Sequence, residues 1–345
     1  MRCAAFNSGP EFHMLDHIAP LAHLMQMPLI TTEEKNTRLA RRFYPHVKLL
    51  YMPDLEMRLG EIATNFDVLF ECKFWGTHLK SLFKEFYHKE MRLVFCPHGQ
   101  SDKGMHSIGQ YPLQDAVLLY GDLLVEMLEK LDLWSLISQA AFIGNYRLPF
   151  YKQHQSFYDA IAEKLIFSKL PKQNKTLLYA PTWQDAEDSS SFFQWTQRVI
   201  SQLPSEWNLI IKPHPLLQQK RPAHYYALLA QIERKTNVLF IEEFVPIYPI
   251  LSRIDILLGD HSSVGYDFLA FNRPLFFLPT SKTTRLHQCG QMIEPDQNIY
   301  EQLEHPKCFL QEQKLLYQFA FKEGVDPKQN ILRLLSHGRQ DKDGL

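Results

Sequence analysis

The run Ile254-Asp255-Ile256-Leu257-Leu258-Gly259-Asp260-His261-Ser262-Ser263-Val264-Gly265-Tyr266-Asp267 decides the fold prediction for this chain. Its first five residues are mostly apolar, which is typical of a buried parallel strand. A turn follows at Gly259, and the residues from Ser262 or Ser263 onward indicate a short helix. A strand that leads through a tight polar turn into a helix is the repeating unit of α/β proteins.

The two serines of this run are candidates for an anion site. Their hydroxyls stand beside the unpaired N–H groups and the positive dipole end of the predicted helix, where a phosphate is the usual guest. An ordinary serine N-cap without any ligand explains the same residues equally well. The pattern alone therefore leaves both interpretations open.

Strand-like apolar runs alternate with helical patterns along the whole chain, which predicts an α/β fold with parallel sheets. The runs of the first half are residues 2–6, 28–31, 47–51, 67–72, 92–96, 116–120 and 141–143, and those of the second half are 176–180, 207–212, 238–241, 254–258 and 274–278. Between them, residues 146–150 are interpreted as a connector, 157–170 as a helix and 171–175 as a polar break. Residues 311–337 are predicted to form a terminal helix.

Two such series in one chain predict two doubly wound, Rossmann-like domains that face each other across a cleft. The expected domains are residues 1–150 and 151–345, with the last helix packing back on the first domain. A length of 345 residues with 45% hydrophobic content is enough for two domains of ordinary size. In such sheets, ligands bind beyond the carboxyl ends of the strands.

The bulk composition excludes several function classes. The 37 Lys and Arg residues are balanced by 38 Asp and Glu residues, so the chain has no excess of positive charge for general nucleic-acid binding. The five cysteines form no C-x-x-C pair, so neither a zinc site nor a disulfide framework is indicated. The sequence shows no signal peptide and no run of roughly 20 apolar residues. We therefore expect a cytoplasmic protein whose membrane contact, if it has any, is peripheral.

Polar residues follow the predicted strands of the first and second halves. His98 comes directly after the strand at 92–96, where an imidazole can act as a general base near neutral pH. Thr182 follows the strand at 176–180 and can hydrogen-bond a ligand oxygen, while Trp183 can line a pocket. A hydrogen-bonded structural histidine and a turn with a core tryptophan are the alternatives for His98 and Trp183.

A cation and an imidazole follow the next strand. Lys212 and His214 lie in a turn between prolines, and together they suit a diphosphate. A solvated turn is the alternative. Each of these polar residues is weak evidence by itself. Four strand ends of one chain that all carry candidate ligand-binding residues are much less expected by chance than one.

Other common sites are absent from the sequence. It contains no G-x-G-x-x-G dinucleotide fingerprint and no Walker sequence, which disfavours nicotinamide enzymes and P-loop NTPases. It has no D-x-D at a strand end and no H-E-x-x-H, so we expect neither a catalytic metal nor another cofactor.

With these motifs in this order, the chain resembles the CDP-glycerol glycerophosphotransferase family of teichoic acid synthesis. The resemblance covers roughly residues 98–278 and rests on His98-Gly99, Tyr179-Ala180-Pro181-Thr182-Trp183-Gln184-Asp185, Lys212-Pro213-His214-Pro215 and the run from Asp260 to Asp267. It implies a metal-independent enzyme of glycosyltransferase-B architecture. The first domain would be the acceptor side, and the second would bind the nucleotide donor.

The resemblance also implies roles for individual residues. His98 matches the family's catalytic base, and His214 matches its second essential histidine near the donor diphosphate. Lys212, Thr182 and the serine pair Ser262 and Ser263 are then expected to contact that diphosphate. The nucleotide or the wall of its pocket is expected to meet Pro181, Trp183, Asp260 and His261.

The implied reaction moves glycerol phosphate from CDP-glycerol to a hydroxyl of a cell-surface polymer or its lipid-linked primer, with CMP as the leaving group. The chain departs from the family at Gln100 and Ser101, where Thr-Pro is usual, and at His261, where an aromatic residue is usual. One alternative is therefore a glycosyltransferase of the same architecture that uses a CMP- or UDP-sugar in capsule or lipopolysaccharide synthesis. A non-catalytic nucleotide-binding protein is a further alternative.

Overall fold

The computed structural model describes residues 1–102, 108–183, 190–232 and 235–336. Its strands are β1 (Cys3–Asn7), β2 (Leu29–Thr31), β3 (Leu49–Tyr51), β4 (Val68–Glu71), β5 (Arg92–Phe95), β6 (Ala116–Leu119), β7 (Ala140–Phe142), β8 (Lys175–Tyr179), β9 (Trp207–Ile211), β10 (Val238–Phe240), β11 (Ile256–Gly259), β12 (Leu275–Phe277) and β13 (Gln291–Met292). Its helices are α1 (Leu15–Leu24), α2 (Glu34–Phe43), α3 (Leu59–Asn65), α4 (Trp75–Tyr87), α5 (Asp122–Lys130), α6 (Arg147–Gln153), α7 (Gln155–Leu165), α8 (Phe192–Ser201), α9 (Leu217–Lys220), α10 (Pro222–Ile232), α11 (Tyr248–Leu251), α12 (Ser263–Phe268), α13 (Ile299–Leu303), α14 (Leu310–Ala320) and α15 (Pro327–Ser336).

The chain divides into two units. The first comprises residues 1–100, 108–153 and 318–336 of the described chain, and the second comprises 101–102 and 154–317 with the gaps given above. Helix α15 belongs to the first unit, where the guanidinium of Arg92 on β5 donates to the carbonyl oxygens of Leu334 and Leu335. These bonds occupy carbonyls at the helix end that have no partner within the helix.

Each unit contains one parallel sheet of the doubly wound type. The strand order is β3-β2-β1-β4-β5-β6-β7 in the first unit and β10-β9-β8-β11-β12-β13 in the second. All strand pairs are parallel. The order reverses next to β1 in one sheet and next to β8 in the other, which is the arrangement of Rossmann-like folds. The predicted fold class is therefore confirmed for each unit.

The apolar residues of the strands build a core on the faces of each sheet. In the second unit, Leu177, Leu209 and Ile256 pack with residues of α8 and α10 in one buried cluster. In the first unit, Ala4, Leu69 and Leu93 pack with residues of α3 and α4 in another. Strands buried on both faces need apolar side chains throughout, which is why they read as continuous hydrophobic runs.

Two predictions of secondary structure were wrong, and one strand was missed. Residues 146–150 are not a connector, because α6 begins at Arg147 and buries that side chain against Asp16 at 2.9 Å. The predicted terminal helix is two helices, α14 and α15, which are separated by a turn at Gly324 (φ +74°). Strand β13 has only two residues and was not predicted.

Helix α1 is a core helix, since its residues Leu15, Ile18 and Leu21 are fully buried. Among the described residues, no helix combines the length and the apolar character needed to cross a membrane.

Candidate functional site

The predicted site residues of the second unit follow three neighbouring strands. Strand β8 lies between β9 and β11, with Tyr179 opposite Ile211 and Leu258 opposite Tyr179. The segments that leave these strands therefore start at the same edge of the sheet, and the strand order reverses between β8 and β11. Thr182, His214 and Ser262 are brought to this edge, where doubly wound sheets bind their ligands.

Asp260 joins two of these segments. Its carboxylate accepts hydrogen bonds from the backbone N–H of Thr182 (2.9 Å), the backbone N–H of Ser191 (2.9 Å) and the hydroxyl of Ser191 (2.8 Å). Asp260 and Thr182 are almost fully buried, and Pro181 between β8 and Thr182 is also buried. The carboxylate thus fixes the turn after β8 against the turn after β11. Its predicted contact with a nucleotide remains a prediction.

The serine pair lies at the start of α12, as predicted. Ser262 is the N-cap, and its hydroxyl oxygen accepts from the backbone N–H of Val264 at 3.3 Å. Ser263 is the first helical residue, and both serines are partly exposed. Helix α12 has only six residues before it tightens into the 3-10 turn Leu269–Phe271. Its dipole is therefore short, and hydroxyls and backbone N–H groups are what this end offers an anion.

Lys212 and His214 follow β9 and are partly buried. The ammonium of Lys212 donates to the carbonyl oxygen of Phe244 at 2.7 Å. The Nδ1 atom of His214 accepts from the backbone N–H of Leu216 at 3.3 Å, so the neutral ring carries its proton on Nε2. Nε2–H is a donor of the kind that a phosphate oxygen accepts.

Trp183 is only partly buried, and its ring centroid lies 6.5 Å from that of His214. It is thus placed beside the His214 turn rather than in the core. Gln184 and Asp185 of the same motif lie outside the described residues.

His98 is the predicted base of the first unit, and it follows β5 as expected. Its ring is exposed, and Nδ1 lies 3.1 Å from the carbonyl oxygen of Cys72, at the end of the adjacent strand β4. A carbonyl only accepts hydrogen bonds, so Nδ1 carries the proton and Nε2 holds the lone pair. Gly99 has φ +122°, a conformation that favours glycine and allows the chain to turn after the histidine.

Two buried side chains, Tyr120 and His17, fix the backbone before His98. The hydroxyl of Tyr120 donates to the carbonyl oxygen of Pro97 (2.9 Å), and His17 Nδ1 lies 2.9 Å from the same hydroxyl. Because the Tyr120 hydroxyl donates its only proton to the carbonyl oxygen of Pro97, it can only accept from His17. His17 Nδ1 therefore carries a proton and donates it to the Tyr120 oxygen. Burial lowers the pKa of His17 well below its usual value, with smaller contributions from Arg147, His98 and His13, so the ring is neutral at pH 7.

A buried carboxyl group lies near the same edge and was missed by the sequence reasoning. Glu71 ends β4, is 1% exposed, and accepts the backbone N–H of Gly76 at 2.8 Å through Oε2. Burial raises its pKa to about 8 although that hydrogen bond acts in the opposite direction, so the group is largely neutral at pH 7. A Cβ on Gly76 would lie 2.8 Å from Oε1, so glycine makes room for it.

A second missed residue is His287, in the 3-10 turn Arg285–Cys289 of the second unit. Its ring centroid is 4.7 Å from that of His261. The two histidines are 26 positions apart in sequence and no spacing rule connects them, so only the folded chain reveals the pair.

Comparison with known proteins agrees with the sequence resemblance. Residues 150–285 match the family model described as CDP-Glycerol:Poly(glycerophosphate) glycerophosphotransferase. The chain is 30% identical over 109 residues to the teichoic acid glycerol-phosphate primase of Bacillus subtilis (strain 168), which is 31% of this chain and 26% of the primase. It is 25% identical over 185 residues to the teichoic acid poly(glycerol phosphate) polymerase of Bacillus spizizenii, which is 48% of this chain and 45% of the polymerase.

The fold is similar to that of the wall teichoic acid polymerase TagF, with a TM-score of 0.63 at 14% identity over 96% of this chain and 87% of the TagF chain. At that identity the likeness concerns the fold alone, and it supports the predicted glycosyltransferase-B architecture. The sequence matches span between a quarter and a half of the length of these curated relatives. The predicted family resemblance is confirmed, and the matched segment contains the strand ends at Thr182, His214 and Ser262.

Proposed function

We propose that this chain, whose residues 150–285 match the CDP-glycerol glycerophosphotransferase family model, transfers glycerol phosphate from CDP-glycerol to an acceptor hydroxyl. The observation that carries the proposal is the meeting of the family's motif residues at one sheet edge of the second unit. Thr182, His214 and Ser262 follow adjacent strands there, at the point where the strand order reverses.

The donor diphosphate is proposed to bind at this edge. Hydrogen-bond donors with fixed positions stabilise the charge of a diphosphate without reorganising during the reaction. His214 offers Nε2–H, and the partly exposed serines offer hydroxyls. Lys212 adds a positive charge, and its bond to Phe244 fixes where that charge lies. Pro181, Trp183, Asp260 and His261 are proposed to line the nucleotide side of the same site.

His98 is proposed as the general base. Its tautomer, set by the carbonyl of Cys72, leaves the Nε2 lone pair to take the proton of the acceptor hydroxyl. The acceptor oxygen forms a bond to the β-phosphorus while the bond from that phosphorus to the oxygen of CMP breaks. CMP leaves with the bonding electron pair, and the proton stays on His98.

The acceptor is proposed to be a hydroxyl of a cell-surface polymer or its lipid-linked primer, since the matching relatives are named as a primase and a polymerase of teichoic acid. Such an acceptor would bring the chain to the inner face of the membrane by peripheral contact. Co-sedimentation with liposomes that contain or lack a lipid-linked primer tests this part separately.

A donor panel tests the function itself. The chain is incubated with an acceptor primer and CDP-glycerol, CMP-sialic acid or UDP-glucose, and the released nucleotide is quantified by chromatography. We expect CMP release with CDP-glycerol that depends on the acceptor. Release only from a nucleotide sugar would make the chain a glycosyltransferase, and nucleotide binding without any release would make it a binding protein. Either result would overturn the proposal.

A further inference from the structure

Two histidine rings lie side by side next to the serine helix. His261 directly precedes the N-cap Ser262, and His287 belongs to the 3-10 turn Arg285–Cys289. Their ring planes are inclined by 59°. The turn packs closely on α12, because a Cβ on Gly265 would lie only 2.5 Å from Leu286. The pair therefore adjoins the proposed diphosphate site within the second unit.

The protonation of His287 follows from its contacts. Nδ1 accepts the backbone N–H of Thr284 at 3.0 Å, so the neutral ring carries its proton on Nε2. Burial, assisted by the neighbouring His261, lowers the pKa of His287 to about 4, which keeps the ring neutral at pH 7. In the described part of the chain, no hydrogen-bond partner is found for the buried Nε2–H group.

In His261 the other ring nitrogen, Nε2, makes the hydrogen bond to the protein. It is 3% exposed, and its Nε2 contacts the carbonyl oxygen of Lys282, which can only accept a hydrogen bond. Nε2 thus carries the proton and Nδ1 holds the lone pair. No residue that the structure describes donates to this buried Nδ1.

The rings that carry this buried donor and this buried acceptor are neighbours, with their centroids 4.7 Å apart. A phosphate oxygen can satisfy only the donor, and an ammonium only the acceptor, whereas one hydroxyl can accept from His287 and donate to His261. We propose that the pair is a subsite for a hydroxyl group of the nucleotide donor, on either its glycerol or its ribose. This rests on the proposed function. The carbonyl oxygen that His261 contacts belongs to Lys282, in the exposed segment 281–283.

Two variants each remove one of the unpaired nitrogens and keep the bond that is already made. In His287→Asn, the amide oxygen replaces Nδ1 as the acceptor for Thr284, and the Nε2–H group is lost. In His261→Gln, the amide N–H replaces Nε2 as the donor to Lys282, and the Nδ1 acceptor is lost. His287→Gln and His261→Asn are the matched controls, since each retains the group that meets the hydroxyl and gives up the other bond.

Titration calorimetry measures the binding of CDP-glycerol, of the analogue with a propyl group in place of glycerol, and of the 2′,3′-dideoxyribose analogue. We expect the wild-type chain to bind CDP-glycerol about 10- to 100-fold more tightly than one of the two analogues, because an analogue without the hydroxyl leaves the buried donor and acceptor unpaired. The analogue that binds more weakly shows whether the hydroxyl at the pair belongs to the glycerol or to the ribose. His287→Asn and His261→Gln should reduce this preference to below about 3-fold, and the control variants should retain it.

Two results would overturn the subsite. If the wild-type chain does not discriminate, or if the two variants keep its preference, the pair holds only an ordered water. Turnover of CDP-glycerol would then persist and the proposed function would stand. If the chain does not bind CDP-glycerol at all, both proposals fail.

Discussion

The Nδ1 atom of His98 lies 3.1 Å from the carbonyl oxygen of Cys72, where the adjacent strands β5 and β4 end. This one contact selects the tautomer of an exposed imidazole and fixes the direction of its ring. A base needs an oriented lone pair, and the contact supplies the orientation without using Nε2.

The variant His98→Asn separates the two ring nitrogens. The asparagine N–H can still reach the carbonyl of Cys72, but no basic nitrogen remains. We expect kcat to fall by about 10²- to 10⁴-fold, the usual contribution of a general base, while the Kd for CDP-glycerol stays within about 2-fold. His88→Asn is the control, because His88 is exposed and has φ +49°, which asparagine tolerates. Unchanged turnover in His98→Asn would remove His98 from the mechanism.

Most of the fold could be predicted because buried parallel strands produce continuous apolar runs. Strands such as β5 and β11 were found to within two residues of their ends. The misinterpreted segment at 146–150 contains Pro149, and proline is tolerated in the first turn of a helix such as α6. The two-residue strand β13 has no periodicity that a sequence pattern can reveal.

The site was predictable only where a residue directly follows a strand. His98, Thr182 and Ser262 are of this kind, so their placement at sheet edges follows from the topology. The His261–His287 pair depends on tertiary packing between α12 and a later turn, and the neutral Glu71 depends on burial. Neither property is visible in the local sequence.

The variant His214→Asn tests the donor site. The asparagine oxygen can accept from Leu216 in place of Nδ1, so the turn should keep its shape while the Nε2–H donor is lost. We expect the Kd for CDP-glycerol to rise about 10- to 150-fold, the effect of one hydrogen bond to a charged group, with a decrease in kcat as well. Calorimetric titration measures this Kd. His305→Asn is the control, because His305 is exposed. An unchanged titration would exclude His214 from the donor site.

The variant Glu71→Gln tests the neutral carboxyl group. The pKa of Glu71 is about 8 in the folded chain and near 4.5 when unfolded, so the folded state binds the extra proton between these values. Stability from this group is fully present below pH 4.5 and is lost as pH rises toward 8, by about 3–5 kcal/mol. Glutamine cannot ionise and can still accept from Gly76.

Urea unfolding of both chains at pH 5 and pH 8.5 measures the effect. The free energy of unfolding of Glu71→Gln relative to the wild type should rise by several kcal/mol between these pH values. Glu85→Gln, on the exposed part of α4, controls for the change of charge. Parallel pH profiles for the wild type and Glu71→Gln would mean that Glu71 is ionised in the folded chain.

The variant His287→Asn gives the opposite dependence on pH. The pKa of His287 is about 4 in the folded chain and near 6.5 when unfolded, so the unfolded state binds the extra proton between these values. Stability from this group is present above pH 6.5 and is lost as pH falls toward 4, by about 1–2 kcal/mol, because the ring is only partly buried. Asparagine keeps the bond to Thr284 and has no proton to gain, so urea unfolding of the variant at pH 7 and pH 4.5 should lack this loss. Equal losses in both chains would show that His287 is protonated in the folded state, and Nδ1 could then not accept from Thr284.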